Sequence, residues 1–288
     1  MSSSSSTTPG HLGSYRLLNV VNTGQTSRIW QAYHDGDDKL CGVKVLLQEF
    51  LRNREHLGYL KNEWAVGEKL DHPRLIKMYE FGVSKGEPYL AMEWFAAPNL
   101  KNRLRYDYDR FAPQFNKLIE QMCDSLIYLH GQGWLHRDVK PDNYLVADSG
   151  DLKLIDFALG QRIKQGVSRF FTPKSKVQGT RSYMSPEQIR GGALDGRADL
   201  YSLGCTIFEM LGGKPPFTGS SPNELLQKHL RSAPPTLESS NRNVTPEFAD
   251  LIRRTLSKKP AGRPQSVSDF LTEVRMIRIF KTAPRTPQ

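Results

Sequence analysis

The sequence predicts an α+β protein in two parts, a small antiparallel β-sheet with one long helix followed by a larger, mainly α-helical part. Up to about residue 93, short segments rich in β-branched and aromatic residues alternate with Gly, Asn and Asp turns, a pattern typical of strands. After Phe95 the apolar residues recur at helical spacing. A chain of 288 residues with 38% hydrophobic residues can bury the core that such a protein needs.

The first part is expected to contain five strands and one helix. The predicted strands are residues 15–21, 29–34, 40–46, 76–83 and 88–92. Between the third and fourth strands, apolar residues at helical intervals predict a helix over about residues 48–70. Pro73 lies just after the end of this pattern, and a proline cannot continue a helix.

The second part is expected to contain several buried helices. Leu118, Met122, Leu126 and Leu129 recur at intervals that place them on one helical face. Further helices are predicted over about residues 197–211 and 246–256, and Thr245 before Pro246 is a candidate N-cap. Residues 1–13 and 276–288 are predicted to be a flexible tail and a basic tail at the two ends.

Composition excludes several classes of protein. The net charge is +10, but Lys and Arg are dispersed without a basic motif interleaved with aromatic residues, so we expect no nucleic acid as a partner. The three cysteines lie far apart, which excludes a disulfide framework and a cysteine zinc site and favours a reducing, cytoplasmic location. No run approaches the roughly 20 apolar residues of a membrane helix, so we expect no membrane segment in this chain.

Two motifs in the second part carry chemistry. Residues 136–143 read His-Arg-Asp-Val-Lys-Pro-Asp-Asn, and residues 154–158 read Leu-Ile-Asp-Phe-Ala. In these motifs, and in their order along residues 15–275, the sequence resembles the protein kinase family. Residues 179–187 and 213–217 look most like the bacterial members of the eukaryotic-like Ser/Thr kinases. Asp138 and Asn143 could instead only cap turns, but their occurrence together with Lys140 and Asp156 disfavours that reading.

The resemblance implies a bilobal kinase fold over residues 14–275, with the N-lobe at 14–93, the hinge and C-lobe at 94–275, and ATP and Mg²⁺ as cofactors. Asp138 would accept the proton of the acceptor hydroxyl or orient it, and Lys140 would neutralise the γ-phosphate. Asn143 and Asp156 would supply oxygen ligands to Mg²⁺.

In the first part, the resemblance assigns Lys44 to the α- and β-phosphates of ATP and Glu63 to the carboxylate that pairs with it, with Glu68 as the fallback. The other residues that it assigns to ATP are the phosphate-covering loop (Asn22, Gly24, Ser27), the hinge (Met92, Glu93, Phe95) and the apolar slot around adenine (Ile29, Gly42, Leu145).

The sequence departs from the family at several glycine positions. Asn22 and Ser27 replace two loop glycines, which makes close approach to phosphates costlier. Ala158 replaces the Gly after the metal-binding Asp and Phe, which restricts the backbone there. Gly67 stands where the family packs a larger apolar residue against the equivalent of Phe157, so that contact is expected to be thin.

The resemblance also implies control by phosphorylation, because in the family an Arg directly before the catalytic Asp, here Arg137, usually binds a phosphorylated residue of the activation segment. The acceptor candidates are Ser168, Thr172 and Ser175, whereas Thr180 is expected to bridge Asp138 and Lys140. The function expected is transfer of the γ-phosphate of ATP to Ser or Thr hydroxyls of protein substrates, with the oligomeric state left open. The alternative is a pseudokinase scaffold that binds partners with little or no phosphoryl transfer.

Overall fold

A computed structural model describes residues 10–163 and 178–285, which form two units. The first unit runs to Ala96 and also takes in Asp156–Ala158. The second contains Ala97–Ile155 and the chain from Leu159 onward. The predicted class is confirmed, with one unit built on an antiparallel sheet and the other mainly helical.

The sheet of the first unit has six antiparallel strands in the order β1-β2-β3-β4-β6-β5. The strands are β1 (His11–Leu12), β2 (Tyr15–Thr23), β3 (Ser27–His34), β4 (Leu40–Leu46), β5 (Met78–Ser84) and β6 (Glu87–Glu93). The prediction of five strands was therefore short by one. Residues 1–13 were predicted as a flexible tail, but β1 pairs with β2 and buries Leu12 against Tyr15 and Tyr89.

One helix, α1 (Arg54–Gly67), accompanies the sheet. It starts later than predicted, because residues 48–50 form a separate 3₁₀ turn and Asn53 caps the helix. The Asn53 side chain accepts hydrogen bonds from the amides of Glu55 and His56, at 2.9 and 3.3 Å. The buried face of α1 consists of Leu60, Glu63, Val66 and Gly67, so a carboxylate lies within an otherwise apolar face.

The second unit contains the remaining elements. Its helices are α2 (Leu100–Tyr106), α3 (Tyr108–Phe111), α4 (Phe115–Gly131), α5 (Pro186–Ile189), α6 (Gly196–Gly212), α7 (Pro222–Arg231), α8 (Leu237–Ser240), α9 (Pro246–Thr255) and α10 (Val267–Met276). Its short strands are β7 (Trp134–Leu135), β8 (Tyr144–Val146), β9 (Leu152–Leu154) and β10 (Gln161–Arg162), which pair as β8-β9 and β10-β7.

The helical predictions are confirmed at their centres and at one cap. The residues predicted on one face of α4 are all fully buried. Thr245 caps α9, since its hydroxyl accepts the amide of Phe248 at 3.3 Å and Pro246 occupies the first turn. The predicted tail from residue 276 is wrong at its inner end, because the carbonyl of Ile279 accepts the amide of Thr245 at 3.0 Å and Ile279 is buried.

Within residues 10–163 and 178–285, helices that combine the length and the hydropathy needed to cross a bilayer are absent.

Candidate active site

Three residues of the second unit converge on the carboxylate of Asp138. Its Oδ2 accepts Lys140 Nζ at 2.6 Å and Asn143 Nδ2 at 3.3 Å, and its Oδ1 accepts the backbone amide of Thr180 at 2.8 Å. Lys140 Nζ also donates to Thr180 Oγ1 at 2.6 Å. Thr180 therefore contacts both charged groups, as the resemblance implied, and the Asp138 carboxylate is held in one orientation.

A buried aspartate on α6 holds the backbone of this loop. Asp199 is fully buried, and its oxygens accept the amides of His136 and Arg137, each at 2.8 Å, and Nε2 of His130 at 2.9 Å. Arg137 has φ of 68°, a left-handed conformation that is unfavourable for a residue with a side chain. The bonds from Asp199 stabilise that conformation one residue before Asp138.

Burial alone raises the pKa of Asp199, but hydrogen bonds and charge from His130 and the backbone amides outweigh it, so its pKa lies below the usual value. The carboxylate is thus ionised and acts as a fixed acceptor. Sequence reasoning assigned Asp199 no role in the site. A carboxylate in the first turn of a helix that is buried along most of its length was the available indication, because a fully buried aspartate requires several donors.

In the first unit, the site is a triad of charged groups. Lys44 on β4 donates to Glu63 on α1 at 2.7 Å, and Lys44 Nζ lies 3.5 Å from Asp156 Oδ1. The side chain of Glu63 is 2% exposed and that of Lys44 is 13% exposed. Lys44 and Glu63 are therefore the pair that the resemblance assigned. The fallback, Glu68, is exposed at the end of α1 and is excluded from this role.

The triad shifts the pKa values of both partners. Burial lowers the pKa of Lys44, but the carboxylates of Asp156 and Glu63 outweigh it and the pKa lies above the usual value. Burial raises the pKa of Glu63 to about 7, because the desolvated carboxylate also faces Asp156 and the bond to Lys44 compensates only in part. Lys44 thus stays cationic over the physiological range, which suits a group that binds phosphate.

The turn that carries Asp156 accommodates Ala158 without strain. Asp156 itself has φ of 66°, whereas the φ of Ala158 is not positive. The amide of Ala158 is 3.4 Å from Asp156 Oδ1 and donates to it. The left-handed residue of this turn is therefore the aspartate, and a glycine is not required at 158.

Met78 fills the space beside Gly67, where the contact with Phe157 is expected to be thin. A β-carbon added to Gly67 would lie 2.5 Å from Met78 Cγ and 3.4 Å from Phe157 Cδ2. Met78 is 5% exposed and Phe157 is fully buried. Gly67 is thus a position of close approach between α1, β5 and the Asp156 turn.

The loop predicted to cover the phosphates is a short hairpin between β2 and β3. Asn22 pairs with Ile29 at the end of β2, and Ser27 pairs with Leu46 across β3 and β4. Neither these residues nor Gly24 has positive φ, so the described hairpin needs no left-handed residue at these three positions. A cavity of about 140 Å³ lies beside this loop, lined by Ser27, Lys44, Glu63 and Asp156 among others.

The predicted hinge residues lie at the end of β6. Met92 is buried, and a β-carbon added to Gly42 on the neighbouring strand would approach Met92 Cγ to 3.3 Å. The amide of Glu93 donates to the carbonyl of Lys77 at 2.8 Å, so this backbone donor is already engaged. Phe95 is half-buried just beyond the strand.

The remaining predicted site residues fall in other places. Leu145 belongs to the second unit, on β8, and is half-buried. Ser168, Thr172 and Ser175 lie outside the described residues. Apart from these predicted residues, Glu187 and the fully buried guanidinium of Arg263 form a bidentate ion pair at 2.7 and 2.9 Å.

These two units, a sheet with a Lys–Glu pair and a helical unit with an Asp–Lys–Thr arrangement, are those of a protein kinase domain. The family model for this domain matches residues 15–274, and the chain belongs to that family.

Curated relatives refine the family to its bacterial branch. The chain is 29% identical to a serine/threonine-protein kinase PknB of Mycobacterium leprae, with 96% of this chain and 45% of that protein aligned. It is 30% identical to PknB of Mycolicibacterium smegmatis over 98% of the chain and 46% of that protein. It is 27% identical to PrkC of Bacillus subtilis over 91% of the chain and 40% of that protein. The chain thus spans less than half the length of these relatives.

Proposed function

We propose that this chain is a serine/threonine protein kinase that transfers the γ-phosphate of ATP, with Mg²⁺, to hydroxyl groups of protein substrates. The observation that carries the proposal is the Asp138 carboxylate held by Lys140 and by the amide of Thr180. In the proposed reaction Asp138 orients the acceptor hydroxyl and accepts its proton, and Lys140 neutralises charge on the transferred phosphoryl group.

The chemistry of the residues proposed for the metal fits Mg²⁺. Asn143 and Asp156 offer an amide and a carboxylate oxygen, the hard donors that this cation prefers. The Asn143 amide group donates to the Asp138 carbonyl at 2.8 Å and to its carboxylate at 3.3 Å, which directs its side-chain oxygen to other partners. When bound, Mg²⁺ would neutralise the phosphates of the nucleotide.

Lys44 is proposed to bind the α- and β-phosphates, because it is a cation at the wall of the cavity beside the 22–27 hairpin. Glu63 fixes the direction of its ammonium group with a bond of 2.7 Å. For adenine, we propose the carbonyl of Glu93 as acceptor and the backbone of Phe95 as the second contact, with Met92, Ile29, Gly42 and Leu145 as apolar neighbours.

Regulation by autophosphorylation is part of the proposal, with Ser168, Thr172 and Ser175 as acceptors. Arg137, at the head of the catalytic loop, is the proposed partner of the phosphate. The scaffold alternative rests on departures at residues 22, 27, 67 and 158. The kinase proposal is supported by the absence of positive φ at Asn22, Ser27 and Ala158 and by the position of Met78 beside Gly67.

The experiment is incubation of the full chain with Mg-ATP and a protein substrate mixture, followed by mass spectrometry of the phosphorylated residues. We expect phosphate on Ser and Thr, and loss of transfer in Asp138→Asn with nucleotide affinity within a few fold of the wild type. Asp142→Asn, an exposed neighbour in the same loop, is the matched control and should retain transfer. Nucleotide binding without transfer in the wild type would instead favour the scaffold.

A further inference from the structure

The side chain of Asn62 links helix α1 to the turn that carries Asp156. Its Nδ2 donates to the carbonyl oxygen of Ala158 at 2.9 Å, in a partly buried bond between residues 96 positions apart. Asn62 directly precedes Glu63, whose carboxylate binds Lys44. Two consecutive residues of α1 therefore contact Lys44 and the turn that carries Asp156.

The Asp156 turn requires external support. Asp156 is left-handed with φ of 66°, which is unfavourable for a residue with a side chain. The contacts of Asp156 Oδ1 with Lys44 and with the Ala158 amide are long, at 3.5 and 3.4 Å. The bond from Asn62 is shorter and reaches the turn from another element, so it constrains the direction of the Ala158 carbonyl.

The chemistry of this contact is selective. A carbonyl oxygen accepts but does not donate, and of the two halves of the Asn62 amide only the NH₂ group can satisfy it. An aspartate of the same shape would place an acceptor against an acceptor. Packing of Phe157 near Gly67 and Met78 holds the middle of the turn, and Asn62 holds its C-terminal end.

We propose that Asn62 is a positioning residue that couples the placement of α1 to the orientation of the Asp156 carboxylate. Asn62 thereby fixes the position of the proposed metal ligand Asp156 relative to the Glu63–Lys44 pair. The catalytic part of this inference rests on the proposed function, whereas the contact itself can be tested without nucleotide.

The test compares Asn62→Asp and Asn62→Ala with Lys61→Ala, a change at the exposed neighbour on the same helix. The first measurement is the factor by which Mg²⁺ strengthens ATP binding. We expect this factor to fall about fivefold in Asn62→Ala, from the loss of one net hydrogen bond, and further in Asn62→Asp. The affinity for ATP without Mg²⁺ should stay near the wild-type value in the Asn62 variants. In Lys61→Ala the factor by which Mg²⁺ strengthens ATP binding should also stay near the wild-type value.

The second measurement is hydrogen–deuterium exchange of the 155–159 segment in the protein without nucleotide. Exchange should rise in both Asn62 variants and stay unchanged in Lys61→Ala, with the midpoint of thermal unfolding used to correct for any global loss of stability. Wild-type exchange in this segment in both Asn62 variants would overturn the coupling. If exchange rises but the wild type shows no effect of Mg²⁺ on ATP binding, the proposed function fails while the coupling stands.

Discussion

Gly67 and Gly58 lie on the same helix, yet substitution of each by Ala should change stability in opposite directions. Gly58 is exposed, and an added β-carbon would meet no atom within 4 Å. Gly58→Ala should therefore stabilise the protein by about 0.5–1 kcal/mol through helix propensity alone. Gly67→Ala places its methyl group 2.5 Å from Met78 Cγ, well inside the ordinary carbon contact of about 3.5–4.0 Å.

Met78 would have to move by about 1 Å to restore an ordinary contact. It is 5% exposed and its Cγ lies near the backbone, so the shift disturbs the neighbouring core. Overpacking of this kind costs about 1–3 kcal/mol. Because Gly67 is the last residue of α1, the compensating gain in propensity is below the full value of about 1 kcal/mol. We expect a net loss of roughly 1–2 kcal/mol.

The assay is thermal unfolding followed by tryptophan fluorescence, in which each kcal/mol moves the midpoint by roughly 2 °C for a chain of this size. Gly58→Ala should raise the midpoint and Gly67→Ala should lower it. Met78→Ala removes the clashing Cγ, so the loss in the double variant with Gly67→Ala should be smaller than the sum of the two single losses. A rise in Gly67→Ala equal to that in Gly58→Ala would show that the close-packing argument is wrong.

Three further predictions concern single residues. Ala158→Gly should leave phosphoryl transfer equal or a few fold lower while exchange at 156–158 rises, since about 0.5–1 kcal/mol of backbone restriction is lost; a several-fold gain in rate would contradict this. Burial lowers the pKa of His229 to about 4, below the ordinary value of about 6.5. The unfolded chain therefore binds a proton more readily, and the folded protein should lose up to about 3 kcal/mol of stability as the pH falls from 6.5 to 4. Thermal scans of His229→Gln should show a flatter dependence of stability on pH. Arg263→Met should lower stability by about 3–5 kcal/mol, because it leaves the Glu187 carboxylate without its buried partner, and activity should fall only with the folded fraction.

The elements of both units could be predicted from local patterns. Alternation in the first part and helical spacing in the second depend on neighbours within a few residues, as does the Thr245 cap. The two-residue strand β1 was missed, because a segment of that length carries no period. The late start of α1 was also missed, since the apolar pattern runs on through the 3₁₀ turn before it.

The sequence by itself determined which side chains carry the proposed chemistry, because Asp138, Lys140 and Asn143 lie within one short loop and their types and spacing are visible along the chain. Only the tertiary structure decided how the departures from the family are accommodated. Met78 fills the space beside Gly67, and Asn62 binds the carbonyl of Ala158 from 96 residues away. Such contacts join residues that are distant in sequence, and local periodicity and propensity hold no information about which distant atoms will meet.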